Sequence, residues 1–156
     1  MDEESAEAEA PSSGHGTRTN PLPIGSTFGQ GDWEVTLNDV NLDATDEVMA
    51  ENMFNEEPAE ADVYILVNVT LEYLGNDSEG ADPYVDVSYV TTDGNTRESY
   101  DTMAVGPDPL SNANTLYHGA EESGNVVLAA PKDSVQEGTL AISAGFAGDK
   151  VFFSVV

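Results

Sequence analysis

The stretch Asp62 to Gly75, DVYILVNVTLEYLG, constrains this chain more than any other. Its odd positions, Val63, Ile65, Val67, Val69, Leu71 and Tyr73, are all apolar, whereas the even ones pass from Tyr64 and Leu66 to Asn68, Thr70 and Glu72. Alternation at period two is the signature of a strand with one face in a core. Because the even face starts apolar and turns polar, the strand is expected to be covered on both sides at its beginning and wetted on one side towards its end. A strand of this kind needs other strands to pack against, and the remaining chain supplies them.

Upstream, Ile24 and Phe28 suit a short edge strand after Pro23. Trp33, Val35 and Leu37 then alternate with Glu34, Thr36 and Asn38, which places Trp33 in the core. After Asp39 the apolar phase slips by one, to Val40 and Leu42, which predicts a bulge or a bend such as a strand makes when it leaves one sheet for another. Downstream, Tyr84 to Thr92 alternates again, and Asp93-Gly94 gives a hairpin signal into Thr96 to Tyr100. Two prolines bar Val105 to Asn114 from ladder pairing. Leu116 and Tyr117 begin a short element, and Gly119 to Gly124 reads as a turn. Val126 to Ala130 is a strand ended by Pro131, Leu140 to Phe146 alternates, and Val151 to Val156 completes a hairpin. Seven to nine strands without a βαβ rhythm predict an all-β, immunoglobulin-like antiparallel two-sheet sandwich.

The part least like a strand is Asp43 to Asp62, with eight acidic residues. Val48, Met49, Met53 and Phe54 fall near helical spacing, so one short helix is expected over about 47–53, ending before Pro58. In the simplest arrangement its Met and Phe side chains cap the open end of the core. If instead they stand exposed, Met49, Met53 and Phe54 are the candidate interaction residues of an apolar and acidic loop. Burial of all three against Trp33 or Tyr64 would remove that possibility.

Composition narrows the function classes. The 156 residues hold 30 acidic and 4 basic side chains, a formal net charge of -26, and no cysteine. A surface so negative repels nucleic-acid phosphates and anionic lipid, and attracts cations and basic partners. Lack of cysteine removes thiol catalysis and cysteine zinc sites. The histidines are His15 and His118, and no GxSxG elbow nominates a serine beside them. Carboxylate pairs for glycoside hydrolysis are not distinguishable where acids are everywhere. No phosphate-cradling glycine loop precedes a lysine. Hard oxygen ligands do cluster in Asp43, Asp46, Glu47 and Glu51, and again in Asn76, Asp77, Glu79 and Asp82, so calcium is the one cofactor to consider. Neither cluster follows the D-x-[DN]-x-[DN]-G spacing. Asn68-Val69-Thr70 and Asn76-Asp77-Ser78 match the glycosylation sequon, the first inside the central strand.

Residues 1–20 carry Asp2, Glu3, Glu4, Glu7 and Glu9 among Ala, Ser, Pro and Gly, and read as an acidic spacer ahead of a domain at 21–156. No apolar run approaches the roughly 20 residues that span a bilayer. Met1 is followed by DEESAEAEA rather than by a basic and then apolar segment, so neither signal peptide nor direct membrane insertion is expected of this chain. A lipid-attached cysteine just upstream in a precursor would make it the mature part of an exported protein.

Several segments in order carry a family resemblance: Pro23 to Phe28 with its leading PIG, WEVTLNDV at Trp33 to Val40, YILVNVTLEYLGN at Tyr64 to Asn76, TTDGN at Thr91 to Asn95, and Gly119, Glu122, Gly124 and Pro131 around a late apolar strand. Together they resemble the telokin-like, immunoglobulin-fold domain of unknown function found in exported proteins and lipoproteins of Gram-positive bacteria. The resemblance covers about 21–156 and implies a sandwich fold and a cell-envelope or extracellular location. It carries no catalytic residues, and its pattern does not require the acidic insertion between Leu42 and Val63. The resulting expectation is a non-enzymatic interaction or accessory module with a protein or cell-envelope partner. The alternative is a calcium- or small-ligand-binding domain using the acidic loops.

Overall fold

The computed structural model describes residues 16–111, 114–144 and 148–156. Among these residues eight strands form two antiparallel sheets. The first sheet runs in the order β1 (Thr27–Gln30), β2 (Trp33–Asn41), β3 (Asp62–Tyr73), β6 (Glu121–Pro131). The second runs β5 (Thr96–Glu98), β4 (Val85–Val90), β7 (Thr139–Ala144), β8 (Val151–Ser154). The expected two-sheet sandwich is therefore the fold, with β3 inside its sheet between β2 and β6. Among the described residues no helix is long and apolar enough to cross a membrane.

Alternation accounts for the core. Val63, Ile65, Val67, Val69 and Leu71 of β3 join Val35, Leu37 and Leu128 from the same sheet, and meet Tyr89, Leu140, Ile142 and Phe153 from the other. Tyr89 is fully buried, and its hydroxyl donates to the carbonyls of Ser134 and Val135, so burial raises its pKa without stranding the phenol. Trp33 packs at the margin of this core, its ring 5.1 Å from that of Tyr73. The phase slip of β2 is a bulge: register shifts between Leu37 and Asp39, leaving Asn38 as the extra residue. The strand does not change sheets there, because the bulge alone absorbs the odd residue and β2 stays paired to β3 through Asn41.

The outer face of the first sheet is ordered in rows. Thr27, Thr36, Thr70 and Ser123 lie opposite one another across all four strands. The hydroxyls of Thr27 and Thr36 are 2.7 Å apart and those of Thr70 and Ser123 2.6 Å. The bulged Asn38 donates to Asn68 and Thr70, and Asn68 donates to Asn125, so the amide of the first sequon is already engaged. The adjacent row is Glu34, Glu72 and Glu121, three carboxylates in direct register. Like charges so placed repel. Glu72→Gln at the centre of the row is expected to raise stability by about 0.5 kcal/mol at low ionic strength, with the gain fading as salt is added. Melting curves of the variant and the parent across a sodium chloride series check this, and an equal difference at all salt concentrations would contradict it.

Pairing with β3 also explains a difference from expectation. Glu121 to Gly124 are strand, not turn, and the reversal is confined to Tyr117–Ala120, with Gly119 at φ 87°. The unpaired length of β3 recruits these polar residues despite their low strand propensity. The chain start differs as well. Gly16 and Leu22 bond to β8 through Phe152 and Ser154, and Arg18 donates to the carbonyls of Thr91 and Thr92. Residues 16–20, expected in the spacer, thus lie against the second sheet. Residues 1–15, with His15, and the expected strand end at Phe146 lie outside the described residues.

Candidate functional site

The acidic insertion builds one end of the sandwich. Its helix α1 (Thr45–Glu51) begins two residues earlier than the spacing predicts, and no side chain caps it at Ala44. Ala44 and Val48 are buried on the outer face of β3 and β6 against Tyr64, Leu66 and Val127, with Met49 half-buried beside them. This is the cover that the apolar start of the even face requires. Met and Phe therefore do not cap the core together as expected. Met49 serves the core, whereas Met53 and Phe54 come after the helix has ended and are 87% and 83% exposed.

Beyond Phe54 the chain is fixed at several points. Asn55 donates through Nδ2 to the carbonyls of Val48 (2.7 Å) and Val105 (2.8 Å), and its Oδ1 accepts from the Val105 N–H at 3.0 Å. One side chain therefore satisfies both backbone groups of Val105 and clips the insertion to the loop after β5. The Tyr64 hydroxyl donates to the Glu56 carbonyl at 2.6 Å. Glu57, Pro58 and Ala59, which lead into β3, line two cavities at this end.

The larger cavity, 640 Å³, is lined by apolar Leu42, Val63 and Val135 and by Asp43, Glu60 and Lys132 among others. The smaller, 380 Å³, is lined by residues of the insertion and of the loop after β5, among them buried Tyr64, exposed Phe54 and Met103, and the acidic Glu56, Glu57 and Asp101. Met103 is 92% exposed. Nothing in the sequence singled it out, since TMAVGPDP has no apolar period. Asp62 borders both cavities, and Arg97 of β5 holds it with two hydrogen bonds, 3.0 and 3.3 Å, while also donating to the Ala129 carbonyl. That pair ties one sheet to the other.

Near this end, Glu98 and Asp101 form a reciprocal capping pair around the 3-10 turn Ser99–Asp101. Among the described residues, Glu98 Oε1 is buried without a hydrogen-bond partner, as is Oγ of its register neighbour Ser88. Burial, and after it the charge of Asp86, raises the Glu98 pKa. Between the ordinary glutamate range and the raised value the folded protein keeps a proton that the unfolded chain has released. Stability is therefore lost as pH rises through that window and stays lost at neutral pH. Glu98→Gln is expected to melt higher than the parent at pH 7, with the gain shrinking as pH falls into the ordinary carboxylate range. A variant that melts lower than the parent at pH 7 would contradict this.

The carboxylates that suggested calcium are dispersed among other tasks. Glu47 accepts from Asn41, Asp77 accepts from the Glu79 N–H, and Asp82 accepts from Thr115. Asp43, Asp46, Glu51 and Glu79 are exposed. Among the described residues no three His, Asp or Glu side chains are placed to hold a metal ion together. His118 lies with Nδ1 3.1 and 3.2 Å from the carbonyls of Leu74 and Gly75.

No family model matches the sequence, and no curated protein matches it. Solved structures do match. An uncharacterized β-sandwich protein from Clostridium difficile 630 aligns with a TM-score of 0.50 at 13% identity, over 88% of this chain and 95% of the other. The secreted protein MPT63 from Mycobacterium tuberculosis aligns with a TM-score of 0.52 at 14% identity, over 86% of this chain and 97% of the other. At such identity the likeness is one of fold, and the chain shares the β-sandwich architecture of these two proteins.

Proposed function

We propose that this chain is an exported, envelope-tethered β-sandwich that works without catalysis as a protein-interaction module, of the telokin-like kind found in bacterial exported proteins and lipoproteins. The observation that carries this reading is the insertion end, where Phe54 and Met103 line one cavity yet stand almost fully exposed, as does Met53 just before Phe54 in the chain, while Asn55 and Glu56 after them are held in place. Isolated exposed apolar residues are ordinary, but a group at one cavity marks a recognition surface. The acidic residues ahead of Gly16 act as the spacer, and the domain as the part that is presented. A fold shared with a protein described as secreted supports the location.

A small-ligand domain is the second reading, and one observation favours it: a cavity of 640 Å³ is within the usual size of ligand pockets. Calcium is its testable form. Melting is expected to rise with ionic strength equally for sodium and calcium salts, because screening of a net charge of -26 is the common cause. A rise specific to calcium would favour the second reading. Location is tested on intact cells making the full, tagged protein. External protease is expected to remove the tag, and retention of the tag until the cells are lysed would overturn the exported assignment.

A further inference from the structure

The exposed apolar group and the charge around it together restrict what can bind. A protein this acidic is repelled by nucleic acid and by anionic membranes. The wall of the smaller cavity presents Glu56, Glu57 and Asp101, and the cation that lines it, Arg97, is already committed to Asp62. Phe54 and Met103, which line the same cavity, offer polarizable apolar surface to solvent, and Met53 precedes Phe54 in the chain and is exposed too. Methionine adapts to varied apolar shapes, so such a surface accepts side chains of more than one form. The Asn55–Val105 clip and the Tyr64–Glu56 hydrogen bond hold the two loops in place, so the site is formed before anything binds.

Resting on the interaction-module reading, we infer that this end takes a cationic amphipathic segment of a protein partner. A large apolar side chain of that segment sits on Phe54 and Met103, with Met53 beside Phe54 in the chain as the reporter, and a neighbouring lysine or arginine enters the 380 Å³ cavity that Glu56, Glu57 and Asp101 line. The aliphatic stem of the basic residue packs towards Tyr64 and Ala129 while its charge meets Glu56, Glu57 or Asp101. Apolar contact gives the grip, and complementary charge excludes acidic competitors.

The test uses the full chain with its methionine methyl groups carbon-13 labelled, so that Met49, Met53 and Met103 report separately by NMR. It is titrated at about 150 mM sodium chloride, where diffuse attraction is weakened, with an amphipathic leucine–lysine peptide. Controls are the leucine–glutamate counterpart, oligolysine of equal charge, and vesicles of neutral phosphatidylcholine. Saturable shifts of Met53 and Met103 with the leucine–lysine peptide are expected, larger than those of Met49. The Phe54→Ser/Met103→Ser variant, whose net charge is unchanged, is expected to bind at least about tenfold more weakly, read at Met53. Binding of that variant equal to the parent would reduce the attraction to diffuse charge and overturn the proposal. Silence of Met53 and Met103, or a response to vesicles but not to the peptide, would overturn it as well. A partner crosslinked in cells from position 54, with no response to the leucine–lysine peptide, would remove the cationic assignment and leave the interaction reading standing. Absence of any such crosslinked partner would strike the interaction reading itself.

Discussion

Ile65→Ala is expected to lower stability by about 3 kcal/mol, the larger of two effects that follow from the way β3 organises the molecule. Ile65 has no exposed surface and stands in the core between the sheets, paired in register with Leu128. Truncation removes its transfer energy and leaves a void that neighbours held by both sheets cannot close. The same strand supplies the controls. Leu66→Ala, on the opposite face under α1, is expected to cost about 2 kcal/mol, since the cover there is one short helix and a loop. Thr70→Ala, on the wetted face, removes a hydroxyl pair with Ser123 and is expected to cost under about 1 kcal/mol. Urea unfolding of the three variants checks the order, with midpoints moving and slopes unchanged. Equal effects at 65 and 70 would contradict the assignment of faces.

Arg97→Met is the second. The Asp62 side chain is only 14% exposed and borders two cavities whose other acidic groups add negative potential. Removing the guanidinium leaves that carboxylate without its ionic partner, withdraws a donor from the Ala129 carbonyl, and unties β5 from the start of β3. Breaking a well-buried pair costs several kcal/mol; with Arg97 at 32% exposure, about 2 kcal/mol is expected. Arg97→Lys keeps the charge but not the two-pronged geometry, and is expected to lose about half as much. Adding Asp62→Asn to Arg97→Met should restore part of the loss, because the stranded charge is gone. A double variant less stable than Arg97→Met alone would show that the pair is not the source of the effect.

Much of this fold was legible because burial on β3 follows its letters one for one. The odd positions face the core, Tyr64 and Leu66 are covered, and Asn68, Thr70 and Glu72 meet water. The phase slip in β2 likewise became the Asn38 bulge. Legibility ended where a partner distant in sequence decides. Glu121 to Ser123 look like a turn until β3 pairs with them, and Arg97 is an unremarkable base until Asp62, far along the chain, meets it. Helix α1 lacks a capping side chain at Ala44, so only Asp46 and Glu47 in its first turn mark its start, and because it ends at Glu51 rather than at 53, Met53 and Phe54 fall beyond it. Met103 owes its place at the cavity to the Asn55–Val105 clip, which joins two loops with no shared periodicity.

The central claim, that the insertion end engages a protein, is tested most directly by photo-crosslinking on intact cells. A photoreactive phenylalanine analogue replaces Phe54 in one protein and, in another, Glu72 on the outer face of the first sheet. A discrete crosslinked species from position 54, absent from position 72, is the result this account predicts. Crosslinking from position 72 with none from position 54 would place the recognition surface on the sheet and contradict it.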